Sequence, residues 1–301
     1  IALPRGLNPE RFLEEVRQYG VSVVTYTWSM LRQVIDDPDF SLSGNNPIRL
    51  FMGSGMPTGL WVRILDEFAP AKIVEFFATS DGQAVLANVA GVKVGSEGRP
   101  LPGGGEVELG AYDSDDDLIL EDSRGFVRVA GREEVGVLLA KPWGPIDPTA
   151  SVKRGVFAAG DIWISTEYVS WRDADGDYWL LGNRSGLIRT ERGVVFPAPI
   201  TDAVGALSGV DLAVTYPLEA PGGTMAVTAV LLRPGMSLTA ADISEAVSAM
   251  PVGLPPDLVH VVPDLPLSAS YRPTVSALKA AGLPKAGRNA WYLDADTGKY
   301  K

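Results

Sequence analysis

The sequence contains no cysteine and only one histidine, His260. Without cysteine the chain can form no disulfide, no thiolate nucleophile and no thiolate metal site. His260 lies in the apolar run 258–262, where a strand histidine packed in the core is favoured over a catalytic base. Ser-His-Asp hydrolysis and histidine- or thiolate-bound zinc therefore have too few groups in this chain.

Basic residues are also scarce, since 26 Lys and Arg face 37 Asp and Glu, giving a net charge of −11. This charge repels phosphate backbones, so we expect no nucleic-acid partner. The sequence lacks an apolar run of the ~20 residues that span a bilayer, and it does not start like a signal peptide. We expect a soluble, cytoplasmic protein, with membrane association through peripheral lipid contact left open.

Strand and helix patterns alternate in the first 90 residues. Strand-like runs at 21–26, 48–52 and 72–77 alternate with helix-like segments at 29–35 and 58–68. This order is typical of a parallel sheet with helical crossovers. Ligands bind such sheets at the carboxyl ends of the strands, which here are Gly53-Ser54-Gly55 and residues 78–83.

The pattern changes to short β segments separated by Gly and Asp turns at 107–109, 118–120, 126–129 and 135–139. They predict an antiparallel sheet or small barrel. A hairpin follows, with strands 162–172 and 178–181 around the turn Asp173-Ala174-Asp175-Gly176. The segment Gly182–Gly186 then interrupts the pattern, and its two glycines suit a hinge.

The remaining chain predicts a small α+β domain, in which Thr239–Asp242 forms a capping box that opens a helix. With 301 residues, two domains are the expectation. The predicted fold class is α/β plus α+β. The first predicted part, residues 1–182, consists of a parallel-sheet α/β subdomain at 1–90 and a β-barrel-like subdomain at 91–182. A hinge at 183–187 and a small mobile domain at 188–301 follow.

The acidic run Asp113–Asp117 is the densest charge cluster of the sequence. Calcium binding is one interpretation, but the run lacks the glycine and the later glutamate of the helix-loop-helix calcium motif. We interpret it as a solvated acidic turn.

Several of these motifs resemble the acyl-adenylate-forming superfamily. Its hairpin turn Asp-x-Asp-Gly, its Gly-Arg-x-x-x-x-Ile-Lys and its Tyr-Pro-Ala correspond to residues 173–176, 182–189 and 196–198. Residues 75–83 resemble its Glu-Phe-Tyr-Ala-Ala-Thr-Glu-Gly-Asn, and residues 49–56 resemble the loop before its adenine-contacting helix. The chain most resembles the fatty-acyl-CoA synthetase branch that includes the fatty-acid transport proteins, and only the C-terminal half of its members.

The resemblance implies a fragment of an ATP-dependent long-chain fatty-acid–CoA ligase that acts through an acyl-AMP. It implies ATP, Mg²⁺ and CoA as cofactors, with fatty acid and CoA as the substrates bound. The family's Ser/Thr/Gly-rich phosphate loop does not occur in this sequence. We therefore expect the fragment to be inactive alone and to work with the missing N-terminal half of the same protein.

The resemblance also implies roles for individual residues. Asp81 would hold magnesium, Arg272 would be the catalytic cation, and Ser185 and Gly186 would form the pivot. The implied nucleotide-binding residues are Gly53, Ser54, Phe77, Ser80, Tyr168, Asn183 and Arg184, with Arg184 near the ribose.

At four positions the sequence departs from the family pattern. The ribose-binding carboxylate falls on Tyr168, the family arginine falls on Asn183 with Arg184 beside it, and the catalytic lysine falls on Arg272, preceded by Tyr271 in place of glycine. These departures leave a second hypothesis open, in which a degenerate ligase-fold module binds acyl chains, acyl-CoA or a partner domain.

Overall fold

The protein is described by a computed structural model for residues 9–38, 40–42, 46–269, 272–285, 287 and 289–301. Its first part is an α/β layer built from α1 (Pro9–Tyr19), β1 (Val23–Thr25), α2 (Trp28–Asp36), β2 (Leu50–Gly53), α3 (Thr58–Glu67), β3 (Lys72–Ala78), β4 (Val85–Asn88) and β5 (Arg99–Pro100). The strands pair in the order β1-β2-β3-β4-β5, with β1, β2 and β3 parallel and the later pairs antiparallel. Leu31, Phe51, Trp61 and Ile73 are fully buried between this sheet and its helices. The predicted parallel-sheet layer is confirmed.

The second sheet contains β6 (Val107–Asp113), β7 (Leu118–Ile119), β8 (Val135–Ala140), β9 (Ser151–Arg154), β10 (Ile162–Arg172) and β11 (Tyr178–Asn183). Its strands run antiparallel in the order β11-β10-β8-β6-β7, with β9 on β10. The predicted strand at 126–129 is wrong, because its amides bond to separate segments: Val127 to Val156 O and Arg128 to Leu120 O. It makes isolated bridges only.

The hairpin turn is confirmed and is fixed by its own aspartates. Asp173 Oδ1 accepts from the amides of Asp175 (3.0 Å) and Asp177 (2.9 Å). Lys93 reaches across from the α/β layer to the carboxylates of all three aspartates, at 2.7 to 2.8 Å. This shared cation joins the two sheets.

The chain then forms a 3-10 turn (Arg184–Gly186), β12 (Ile188–Thr190), β13 (Gly193–Val195), α4 (Pro197–Gly205), β14 (Val210–Ala220), β15 (Gly223–Leu232), α5 (Ala240–Ser248), β16 (Leu258–Val262), α6 (Ser276–Ala281), β17 (Ala290–Asp294) and β18 (Lys299–Tyr300). The last five strands form one sheet in the order β14-β15-β16-β17-β18. The predicted capping box at Thr239 and Asp242 is confirmed. Strands β17 and β18 were not predicted, although the apolar segment 291–293 before the Gly298 turn carries a weak strand pattern.

The parts before and after the 3-10 turn pack together in this structure. Arg32 Nε of α2 lies 2.9 Å from Asp211 Oδ1 of β14, and Thr58 Oγ1 of α3 donates to Asp202 O of α4 at 2.8 Å. One hydrophobic core contains residues of both parts, such as Phe51 and Tyr216. The division at 1–182, 183–187 and 188–301 remains a prediction. No helix in the described ranges is long and apolar enough to cross a bilayer.

We predict that Gly98→Ala destabilises the fold, because Gly98 has φ +76° and its added Cβ would lie 2.1 Å from the Ala87 carbonyl oxygen. The strained backbone and the clash together correspond to about 2–4 kcal/mol of unfolding free energy. Urea unfolding of the wild-type protein and of Gly98→Ala measures this difference in the free energy of unfolding. Gly222→Ala is the matched control, since nothing lies within 4 Å of its Cβ position. Equal losses at both glycines would contradict this packing.

Candidate functional site

The loop that follows β2 is held in place by a buried tyrosine–glutamate pair. Tyr26 Oη donates a hydrogen bond to the Glu75 carboxylate, and Glu75 Oε1 accepts from the Met56 amide at 3.0 Å. A Cβ at Gly53 would lie 2.5 Å from the Tyr26 ring, so only glycine fits there without movement. Ser54 is exposed on this fixed loop, at the carboxyl end of the parallel strands.

The loop that follows β3 is a compact turn. Asp81 Oδ1 accepts from Thr79 Oγ1 at 2.6 Å and from the Gln83 amide at 3.2 Å, while Ser80 and Asp81 are exposed. Within the described ranges, no three His, Cys, Asp or Glu side chains form a metal-holding group. Magnesium bound together with substrate phosphates needs only one or two protein carboxylates. Asp81, with Oδ2 outside the turn's hydrogen bonds, fits that limited role.

A second anchor for this turn comes from the loop that follows β8. The buried Gln83 side chain donates to Pro145 O at 3.0 Å and accepts from the Trp143 amide at 3.3 Å. The Trp143 indole donates to Gly82 O at 3.1 Å. The sequence analysis missed these residues, because the contact joins segments about 60 residues apart.

Phe77 and Tyr168 meet edge to face between the two sheets, with ring centroids 5.0 Å apart at 86°. Such a pair is a favourable arrangement of the two ring quadrupoles. Tyr168 pairs directly with Asn183 across β10 and β11. The structure thus brings three of the predicted nucleotide residues together.

An acidic residue that the sequence analysis missed stands beside Tyr168. Glu167 has φ +60°, which is unusual for a non-glycine residue, and lies in a register irregularity between Ser165 and Val169. Its carboxylate accepts from Ser165 Oγ at 2.8 Å and from Arg184 Nη1 at 3.2 Å. Since Tyr168 pairs with Asn183, Glu167 and Arg184 are the next positions along the same antiparallel pair.

The acidic turn 113–117 is more than the solvated turn predicted from the sequence. Arg184 Nε and Nη2 donate to Asp117 Oδ1 at 3.0 and 2.8 Å, and Tyr112 Oη donates to the same oxygen at 2.6 Å. The guanidinium also lies over the Tyr112 ring, 5.5 Å from its centroid. Tyr112 and Arg184 lower the pKa of Asp117, so this carboxylate is an ionised partner of the arginine.

The predicted pivot is held locally. Asn183 Oδ1 accepts from the Ser185 amide at 3.1 Å and from Ser185 Oγ at 2.7 Å, so the Asn183 side chain caps the 3-10 turn. Ser185 and Gly186 are exposed, and nothing lies within 4 Å of a Cβ at Gly186. No neighbouring atom therefore restricts the backbone at Gly186 itself.

Arg272 lies in an exposed turn, where its amide donates to Ser268 Oγ at 3.1 Å. Among the described residues its guanidinium forms no ion pair with Asp81, Glu167 or any other carboxylate. Tyr271 lies outside the described residues. The prediction for His260 agrees with the structure: it is buried in β16, with Nε2 3.2 Å from Tyr216 Oη.

Three carboxyl groups with raised pKa values meet where the α/β layer contacts α4. Burial raises the pKa of Glu75 to about 7. Burial, together with the charges of Glu75 and Asp202, raises the pKa of Glu97 to about 8. Burial raises the pKa of Asp202, in α4, to about 7. Ionising all three would place like charges together in a poorly solvated space.

Sequence relatives cover nearly the whole chain. The medium/long-chain-fatty-acid–CoA ligase FadD6 of Mycobacterium tuberculosis is 25% identical over 284 residues, which are 90% of this chain and 47% of that protein. The long-chain fatty acid transport protein 5 of Mus musculus is 25% identical over 291 residues, or 91% of this chain and 42% of that protein. The chain therefore spans less than half the length of either relative. No family model matches the chain.

Solved structures share the fold. The amide bond synthetase McbA from Marinactinospora thermotolerans aligns with a TM-score of 0.70 at 19% identity, over 93% of this chain and 56% of that one. The O-succinylbenzoate coenzyme A synthetase from Bacillus subtilis, solved with AMP, aligns with a TM-score of 0.61 at 17% identity, over 94% and 55%. At these identities the likeness concerns the fold alone.

We predict that the protein loses stability as the pH rises. Glu75, Glu97 and Asp202 have folded-state pKa values above their ordinary ones, so the folded state binds these protons more tightly than the unfolded state. The free energy of unfolding therefore falls as the pH rises from about 4.5 to about 8. Thermal unfolding at several pH values measures it.

Glu97→Gln should reduce this decline, because the variant cannot ionise at that position. Glu245→Gln, on the exposed surface of α5, should leave the decline as it is. A pH dependence unchanged by Glu97→Gln would remove the buried carboxyl cluster as its cause.

Proposed function

We propose that this chain, which belongs to the acyl-adenylate-forming superfamily on the branch of fatty-acyl-CoA ligases and long-chain fatty acid transport proteins, is the C-terminal half of an ATP-dependent long-chain fatty-acid–CoA ligase. The relatives named above support the fatty acid as substrate class. A ligase of this branch joins an acid to a thiol through an acyl-AMP. In this proposal the N-terminal half of the same protein supplies the phosphate loop, and the enzyme is cytoplasmic with peripheral membrane contact.

The observation that carries the proposal is the ion pair of Glu167 and Arg184. The family's carboxylate and arginine would stand at Tyr168 and Asn183, which are direct partners across two antiparallel strands. In this chain the acid is one residue earlier on β10 and the arginine one residue later, just past β11. Shifts in opposite directions along antiparallel strands keep the two groups opposite each other, and their side chains lie 3.2 Å apart.

We infer that Glu167 takes the ribose-binding role. A carboxylate can accept from both ribose hydroxyls, whereas the Tyr168 hydroxyl cannot. Arg184 would hold Glu167 in place, and Phe77 and Tyr168 would present their rings to the adenine. The fixed backbone at Gly53 and Ser54 would line the same pocket, a role that the Tyr26–Glu75 pair supports by restricting the loop.

The phosphate end of the site would use the turn after β3. Ser80 is exposed there, and Asp81 would offer Oδ2 to magnesium, which neutralises phosphate charge when bound. Gln83 and Trp143 would keep this turn in position. Arg272 would reach the site only after residues 188–301 move about Ser185 and Gly186. Arginine keeps the positive charge of the family lysine but presents it in a planar fork.

A binding module remains the second candidate, and one observation favours it. Arg184 already donates to Asp117 with Nε and Nη2 and to Glu167 with Nη1. Asn183 is similarly occupied in capping Ser185. A site whose polar groups are satisfied internally offers a nucleotide less, and such a protein would hold acyl chains, acyl-CoA or a partner domain instead.

Fatty-acid-dependent ATP–pyrophosphate exchange by the protein with its native flanking sequence tests the ligase. We expect Glu167→Gln to lower kcat/KM for ATP roughly tenfold to a hundredfold, because one charged acceptor is lost. Arg272→Ala should abolish exchange, and Arg272→Lys should retain part of it. Glu133→Gln is the matched control, since Glu133 is also an acidic residue with positive φ (+59°) on the exposed surface.

Full exchange in Glu167→Gln would contradict the ribose role while leaving the ligase intact. No exchange by the folded wild-type protein with acids of any chain length would contradict the ligase itself. Binding of acyl-CoA by that inactive protein would then favour the second candidate.

A further inference from the structure

Two arginines on opposite sides of the pivot hold the same turn. Arg184 precedes Ser185 and Gly186, and it binds Asp117 as described above. Arg189, in β12 beyond the pivot, donates from Nη1 to the carbonyl oxygens of Ser114 and Asp115, both at 3.0 Å. The turn 113–117 between β6 and β7 is therefore a common acceptor for both sides of the hinge.

Of these two arginine contacts, that of Arg189 joins the parts before and after the pivot, whereas that of Arg184 does not. The 3-10 turn with Arg184 lies against β10, whose sheet also contains β6 and β7. In contrast, β12 pairs with β13 and packs against β15 of the C-terminal sheet. A rotation about Ser185 and Gly186 would leave the Arg184 contacts in place and would carry Arg189 away from its two carbonyls.

The turn is preorganised to accept a cation. Asp113 Oδ1 accepts from the amides of Asp115 (3.0 Å) and Asp116 (3.2 Å), which folds the turn and aims two successive carbonyls at one guanidinium nitrogen. Asp117 has φ +56°, a conformation that costs energy for a non-glycine residue unless surrounding contacts hold it. The four carboxylates of the turn add negative potential at the carbonyls that Arg189 reaches.

We propose that the turn 113–117 is a clamp that holds residues 188–301 in the orientation seen here by binding Arg189. Two further contacts join the same parts, since Arg32 binds Asp211 and Thr58 binds Asp202. Loss of the clamp leaves these contacts in place and destabilises the present orientation relative to one in which residues 188–301 have rotated. This inference concerns the hinge and stands whether or not the proposed ligase activity does.

Single-molecule energy transfer measures the two orientations in the protein with its native flanking sequence. Dyes are attached through Val92→Cys, at a position 78% exposed on the α/β layer, and Glu245→Cys, exposed on α5. We expect Arg189→Gln to raise the population of the second orientation roughly tenfold, because a charged donor of two hydrogen bonds is lost. Arg189→Lys should fall between Arg189→Gln and wild type.

Arg192→Gln is the matched control. Arg192 lies on the same β12–β13 hairpin but donates to Asp257 Oδ1 at 2.7 Å and Pro255 O at 2.6 Å, both beyond the pivot. It should leave the populations at wild-type values. A wild-type distribution in Arg189→Gln, or an equal shift in both variants, would overturn the clamp. Hydrogen exchange of residues 183–188, faster in Arg189→Gln alone, gives a second readout that needs no dyes.

Discussion

The antiparallel pairing of β10 with β11 is the constraint on which the candidate site depends. It places Tyr168 opposite Asn183, and so determines that Glu167 and Arg184 are neighbours. The register irregularity at Glu167 turns this acid toward the arginine at the cost of a positive φ. In a regular strand consecutive side chains point to opposite faces, so a strand without this irregularity would direct Glu167 and Tyr168 to opposite sides of the sheet.

The same pairing bears on the departures from the family pattern at Tyr168 and Asn183. Compared one position at a time, these departures suggest that two charges are lost. Replacing an acid by Tyr168 and an arginine by Asn183 removes two charges from one pair. The neighbouring pair gains both charges, so the local electrostatics keep their sign and their partners. Asn183 is then free to cap the 3-10 turn through Ser185, a role that arginine could not perform because it has no acceptor.

The sequence predicted those parts of the fold that local pattern determines. The strand at 258–262, the capping box at Thr239 and the hairpin turn at 173–176 all follow from short-range periodicity and hydrogen bonding. The prediction of a strand at 126–129 was wrong. An apolar run forms a strand only if a neighbouring segment pairs with it along its length, and the sequence does not show which segments lie beside it. The position of the Glu167 side chain depends on a β-bulge. The hydrogen bonds from Arg189 to the acidic turn join residues 74 or 75 positions apart. Neither leaves a signature in a single sequence.

One guanidinium connects the candidate nucleotide site with the predicted hinge. Arg184 divides its donors between Glu167 in the site and Asp117 in the turn that also receives Arg189. A ligand that competes for the Glu167 carboxylate would leave Nη1 of Arg184 without its acceptor, while Nε and Nη2 stay on Asp117. The turn itself would keep its shape, since Asp113 and Tyr112 hold it independently of Arg184. If both proposals hold, occupation of the site would perturb Arg184 and leave the contact of Arg189 with the turn intact, so a movement of residues 188–301 would need energy from contacts other than those at Glu167.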